Sequence, residues 1–220
     1  MNVRDEILGK LKSAPKQDIS TKTRMPPLNE LSFDKEEMIE KFIQEQTEQT
    51  SAVHRVKDGS AVLKKLSEII KEEGLHKVMV STDDVVAPLD LVSWGKENDV
   101  QVFTAQDFKD RKDFTDSVFD SVEAGITGAD YAVAETGTIG IIHDKNQPRL
   151  VSIAPIMQIT IVPVERMVQV YEQVTDKVFG QKEVPSHFTF TTGPSMTADI
   201  QATAFKGMHG PRRMIIILVG

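Results

Sequence analysis

Three glycine-containing stretches, two of them also rich in threonine and all in the second half of the chain, carry the groups best suited to chemistry. The first, GITGADYAVAETGTIG (125–140), offers the hydroxyls of Thr127, Thr136 and Thr138 and the carboxylates of Asp130 and Glu135. Its Gly128 and Gly137 permit backbone angles closed to other residues and let a ligand approach the main chain. The same composition also suits a pair of β-turns with threonines at strand positions. The second, TTGPSMTADI (191–200), sets Gly193, Ser195 and Thr197 around Asp199. Ser195 or Thr197 would cap a short helix beginning near Ala198, and the free amides of such a terminus attract anions. Asp199 would compete with an incoming anion, so orienting a ligand hydroxyl or acting as a base is its alternative role. The third, GMHGPRR (207–213), places His209 between Gly207 and Gly210, just ahead of an apolar run. Imidazole in general suits proton transfer near neutrality, although a loop histidine is often only bonded to backbone. Arg212 and Arg213 could clamp a carboxylate or phosphate, or could simply be solvated. His209 is the first candidate for a base, with Asp199 or Glu135 as its partner.

These stretches complete no familiar catalytic motif. There is no P-loop, dinucleotide fingerprint or nucleophile elbow, and the five histidines show no close metal-binding spacing. The chain contains no cysteine, which excludes a disulfide framework, a thiolate zinc site, a cysteine nucleophile and cysteine-held iron–sulfur clusters within it. A net charge of −7 disfavours nucleic acid as the main partner. No apolar run reaches the roughly 18 residues of a membrane span. The N-terminus is charged and amphipathic without the apolar core of a secretory signal, which points to the cytoplasm.

The elements that must position these loops are legible from hydrophobic period. The 220 residues suffice for one substantial α/β domain with a helical arm. Residues 1–50 read as that arm: a helix over 3–13, a polar proline-containing linker over 13–27, and a second helix capped near Asp34. Residues 51–220 read as the α/β domain. Within it, strands are predicted over 53–56, 77–81, 100–103, 131–134, 139–143, 150–153, 159–162, 188–191 and 214–219. Helices are predicted over 59–73 with Gly74 as the stop, 89–97, 117–122 and 164–179. Strands alternating with helices imply a parallel sheet covered on both faces.

Taken in order, GITGADYAVAETGT, VPVERMV, TTGPSMTADI and GMHGPRR resemble the LUD-domain family, and the likeness runs from about residue 50 to the end. The resemblance implies a three-layer αβα sandwich with a largely parallel sheet, similar to sugar-phosphate isomerases and CoA transferases (NagB/RpiA-like). It also implies a part in oxidising L-lactate to pyruvate beside two partner proteins that carry iron–sulfur clusters; the missing cysteines suit that division of labour. It assigns no catalytic residues and no cofactor to this chain. On chemistry alone, the expected ligand site gathers Thr127, Gly128, Thr136, Gly137, Thr138, Gly193, Ser195, Thr197, Gly207, Gly210 and Arg212 around a small carboxylate or other small anion. Two further readings are a non-catalytic assembly or anion-binding regulatory module, and a stand-alone transferase or isomerase suggested by fold analogy alone.

Overall fold

The computed structural model describes residues 3–14, 32–198 and 204–220. The chain divides into two units, Met1–Glu30 and Leu31–Gly220. In the first, α1 (Val3–Ser13) carries a Glu6–Lys10 pair one turn apart at 2.9 Å. The stretch expected to be a linker lies, beyond residue 14, outside the described residues.

The second unit opens with α2 (Lys35–Glu48), whose N-cap Asp34 accepts hydrogen bonds from the amides of Glu36 and Glu37 while Glu37 returns one to the Asp34 amide, a capping box. Its Ile39 and Phe42 are fully buried in this unit, a burial of about 1.5–3 kcal/mol per side chain. There follow β1 (Ala52–Val56), α3 (Gly59–Glu73), β2 (Lys77–Val80), α4 (Leu91–Glu97), β3 (Gln101–Phe103), α5 (Arg111–Asp120), β4 (Ala124–Gly128), β5 (Tyr131–Val133) and β6 (Thr138–Ile142). Next come α6 (Arg149–Ile153), β7 (Met157–Pro163), β8 (Met167–Val168), α7 (Tyr171–Phe179), β9 (Phe188–Thr191), β10 (Met196–Ala198), β11 (Ala204–Lys206) and β12 (Arg213–Val219).

Six strands form one parallel sheet in the order β1-β12-β7-β4-β2-β3. The inner strands read as unbroken apolar runs because both faces are covered. In β12, Ile215 and Ile217 join the cluster formed with Val62, Leu66 and Ile69 of α3 and Trp94 of α4. Met214, Ile216 and Leu218 turn the other way, toward Phe42 of α2 and Ile139 of β6. On that second face, α5 and α6 pack through Val118 and Val151 onto Met79. The rest of the face is taken by a four-stranded sheet, β8-β5-β6-β9, whose outer side is closed by Val174 and Val178 of α7. The result is the expected three-layer arrangement.

Four sequence expectations are corrected. Residues 150–153 form the helix α6, not a strand; a four-residue apolar run does not distinguish the two, and Gly125, whose missing Cβ leaves room for the Val151 carbonyl, lets a helix lie directly on β4. The helix expected over 164–179 begins only at Tyr171, because Met167 and Val168 pair with Ala132 and Val133. The helix placed at 117–122 spans Arg111–Asp120, started by Asp110, whose carboxylate accepts from Lys112 and Asp113 amides. The helix expected from Ala198 is absent at that residue, which ends the strand β10.

Candidate functional site

Ser195 is the hinge between the second and third loops. Its amide donates to the Pro211 carbonyl and its carbonyl accepts from the Gly207 amide, both at 2.8 Å. Beyond it, β10 and β11 pair antiparallel, with Thr197 opposite Phe205. A Cβ on Gly210 would stand 3.2 Å from that of Ser195. Ser195, Thr197, Gly207 and Gly210 are therefore brought together, but as a hairpin rather than a helix terminus. Cross-strand bonding commits the Ser195 and Gly207 amides, so they are not the anion holders that a capped helix would have offered. Asp199 lies outside the described residues.

The first loop meets the second at the end of α2. Thr136 Oγ1 and Thr138 Oγ1 lie 2.8 Å apart, and Thr138 Oγ1 lies 2.9 Å from Thr192 Oγ1, a chain of three hydroxyls. Between the first two, Gly137 takes φ +64°, a value that favours glycine, and its carbonyl accepts from Gln46 Nε2. Gly193 sits where a Cβ would come within 2.7 Å of Gln49 Cβ. Sequence reading missed four residues at this joint: Gln46, Thr50, Thr192 and Lys206. Thr50, joining α2 to β1, is held at φ +67°, an outlier for a β-branched side chain. Its Oγ1 accepts from Lys206 Nζ at 2.6 Å. Two buried polar atoms here have no hydrogen-bond partner among the described residues, Gln46 Oε1 and Ser51 Oγ, which is uncommon inside proteins. A polar residue pointed inward from an otherwise amphipathic helix was the available signal for Gln46.

Thr127 and Gly128 go elsewhere. Thr127 is fully buried inside the parallel sheet. The Gln158 amide there is oriented so that Oε1 accepts from Thr127 Oγ1 at 2.7 Å and Thr160 Oγ1 at 3.1 Å, while the nitrogen donates to the carbonyls of Val151 (3.3 Å) and Ser152 (3.2 Å). Thr127 thus helps tie α6 to the sheet. Gly128 ends β4, and its amide donates to Asp83 Oδ2 at 3.0 Å. Both belong toward the C-terminal end of the strands. Gly207 to Arg212 lie at the N-terminal end, where the Arg212 amide donates to the Ile156 carbonyl at 2.8 Å, just ahead of β7. The eleven expected binding residues do not share one hollow.

His209 is exposed and lines a cavity of about 740 Å³ with Ile156, Met208 and the end of α5 around Ser121. Arg212, also exposed, lines a separate hollow of about 240 Å³ with Thr50 and Lys206. Arg213 is paired with Glu73 and so serves structure. Glu135 is half-buried, and its amide donates to the Gln169 carbonyl at 3.0 Å. Its charge reaches Lys41, whose pKa is raised chiefly by its bond to Glu45. Among the described residues, no hydrogen bond or ion pair joins His209 to Glu135.

Asp130 is the most perturbed carboxyl, pushed up to about 6 by burial, against the opposing influence of the Ile142 amide and the Arg166 guanidinium. No group of three or more His, Asp or Glu among the described residues is arranged to hold a metal ion. Among the same residues no helix is long and apolar enough to cross a membrane.

Known proteins bear on this geometry in three ways. The family model described as "LUD domain" matches residues 39–219. A protein named lactate utilization protein C from Anoxybacillus flavithermus is 28% identical over 78% of this chain and 77% of its own length. Another of that name from Halalkalibacterium halodurans is 38% identical over 46% of this chain and 45% of its own, so there the match spans less than half of the relative. A crystal structure of a DUF162 family protein from Deinococcus radiodurans superposes with a TM-score of 0.60 at 20% identity, covering 86% of this chain and all of that one; it bears on the fold alone.

Proposed function

Since the chain belongs to the LUD domain family, we propose that it serves lactate utilization as the cluster-free member of a system that oxidises L-lactate to pyruvate beside iron–sulfur partner proteins in the cytoplasm. The supporting observation is the match to a protein named lactate utilization protein C across 78% of the chain. The chain has no cysteine to hold an electron-carrying cluster of its own. Lactate oxidation needs a base for the hydroxyl proton, a holder for the carboxylate and an acceptor for two electrons. In this reading His209 is the base, the electrons leave through the partners, and Arg212 and Lys206, which line the separate hollow, attract the anionic substrate to this end of the sheet rather than hold it beside His209. The hydroxyl chain Thr136–Thr138–Thr192 and the strained Thr50 keep the Lys206 side of the hollow in place. The test is lactate oxidation by the purified complex carrying His209→Ala. A fall of at least tenfold in kcat supports the reading, on the usual scale for loss of a general base. Full activity with both His209→Ala and Asp199→Ala removes it.

A second reading, an assembly module, is favoured by one observation. Phe119, Ile156 and Met208 are 61%, 59% and 64% exposed, and Ile156 and Met208 line the same cavity as His209. Exposed apolar groups gathered around a hollow are a mark of protein contact surfaces. If His209→Ala leaves lactate oxidation intact while Met208→Asp abolishes co-purification of the partners, the module reading replaces the catalytic one.

A further inference from the structure

A third hollow, of about 370 Å³, lies between the start of α5 and the turn that follows β6. Its polar lining is Arg111, Arg149, Thr115, Asp144, His143 and His187, and its apolar wall includes Phe114 and Leu150. From this arrangement we propose a small-carboxylate binding site, with Arg111 and Arg149 as the two cationic jaws and the Phe114–Leu150 wall against the carbon chain.

The argument begins with the arginines. Neither guanidinium makes a hydrogen bond or ion pair with any described residue, although Arg55, Arg166 and Arg213 are each paired with a carboxylate. Ten donor hydrogens on two forks that share one concavity are therefore unused by the protein, and this fork geometry matches a carboxylate's two oxygens. Asp144, the carboxylate in the lining, is already engaged: its Oδ1 accepts from the amides of Asn146 at 2.8 Å and Gln147 at 2.9 Å. Asp110, at the head of α5, likewise turns onto the amides of Lys112 and Asp113. Arg111, Arg149 and Asp144 together give the lining two positive charges and one negative, a balance that suits a monoanion better than a dianion.

His143 supplies the rigid back wall. It is 7% exposed, and both ring nitrogens are in use. Nδ1 faces the Gln147 carbonyl at 3.2 Å, so Nδ1 carries the hydrogen, and Nε2 accepts from Thr189 Oγ1 at 2.8 Å. Burial, the largest influence, lowers its pKa, and the neighbouring Arg149 and His187 act in the same direction. A ring fixed from both sides holds the 143–147 turn, and with it Asp144, in place.

Titration calorimetry on the full chain tests the site, with sodium L-lactate, sodium pyruvate, neutral lactamide and inorganic phosphate as probes. One of the two carboxylates binds, lactamide does not, and phosphate binds more weakly. Arg111→Gln/Arg149→Gln weakens carboxylate binding at least tenfold; each arginine is exposed, so the melting temperature stays put. Lys71→Gln, on the exposed face of α3 and outside this hollow, leaves the binding unchanged. The proposal is overturned if neither carboxylate binds, if phosphate binds more tightly, or if binding survives the double substitution. Either single substitution repeats the measurement should the double variant be poorly soluble. This outcome is independent of the lactate-oxidation assay on His209→Ala, so the two readings fail separately.

Discussion

The two ends of the parallel sheet are finished in opposite ways. At the C-terminal end of β2 and β4 the chain satisfies itself. Asp83, 9% exposed, accepts from the amides of Gly128 (3.0 Å), Val85 (2.8 Å) and Val86 (3.1 Å), and also from Ser81 Oγ. Gln147 Nε2 donates to the Gly128 carbonyl at 2.7 Å, and Arg166 donates to that of Ala129 at 3.0 Å. This is the strand-order switch point, where open α/β sheets usually take their ligands, yet its amides are spent on an internal carboxylate. At the N-terminal end the balance is reversed: buried Gln46 Oε1 and Ser51 Oγ have no partner among the described residues, Thr50 is strained, and His209 and Arg212 stand exposed. Strain and unmet polarity are tolerated where function requires them. The contrast argues for chemistry at the N-terminal end, with the switch point itself serving stability.

The most damaging way to break that contrast is Asp83→Ala. Three backbone amides lose their acceptor in a buried setting, at about 1–3 kcal/mol for each buried group left unpaired. A loss of about 3–5 kcal/mol is expected in urea unfolding, enough to lower the melting temperature by roughly 10 °C or more in a chain of this size. A loss under about 1 kcal/mol would mean that water or a ligand already shares those amides, and the switch point would return as a binding site.

Asp130 sharpens the same comparison through pH. Its carboxyl titrates near 6 when folded against 3.8 as a free group, because burial penalises the charged form more than the Ile142 amide and Arg166 favour it. Between these values the folded chain holds the extra proton, so stability falls as pH rises from about 4 to about 6 and levels off above. Asp130→Asn, whose side-chain oxygen can still accept from the Ile142 amide, removes this slope. Melting curves of the two proteins should therefore diverge across that window, with the variant the more stable at pH 7. Parallel curves would place Asp130 in a wetter setting than the packing indicates.

How much of this was written legibly in the sequence depends on the range of the interaction. α3 was readable to the residue, because Asp58, the apolar spacing of Val62, Leu66, Ile69 and Ile70, and Gly74 at φ +63° are all local signals. β12 was equally plain as an apolar run buried on both faces. α6 and β8 were misread because their states are set by distant partners: the bare backbone at Gly125 in one case and Ala132–Val133 in the other. At the site, the glycines and threonines were found but their grouping was not. Thr127 and Thr138 look alike in sequence, and only strand register sends one into the parallel sheet beside Gln158 and the other to the start of β6, next to the Gly137 carbonyl that Gln46 holds. Arg111 and Arg149 carry no local mark at all; their significance lies in what they fail to bond.

That pair of threonines gives the finest test, because the expected stability changes are small. Thr138→Val keeps the shape and removes the middle hydroxyl of the chain linking Thr136 to Thr192. Thr138 is 6% exposed, but Thr192 is exposed and Thr136 half-buried, so both flanking hydroxyls can turn to water. The cost should be no more than about 1 kcal/mol. Thr127→Val deprives the buried Gln158 oxygen of one of two donors and should cost about the same or slightly more. If the N-terminal end carries function, the first change lowers lactate oxidation by the complex well beyond its effect on stability, while the second lowers stability and leaves the rate per folded molecule alone. Equal rates in the two variants would reduce the Thr136–Thr138–Thr192 chain to a turn fastening, and the reversed result would move the functional end of the sheet to the strands' other side.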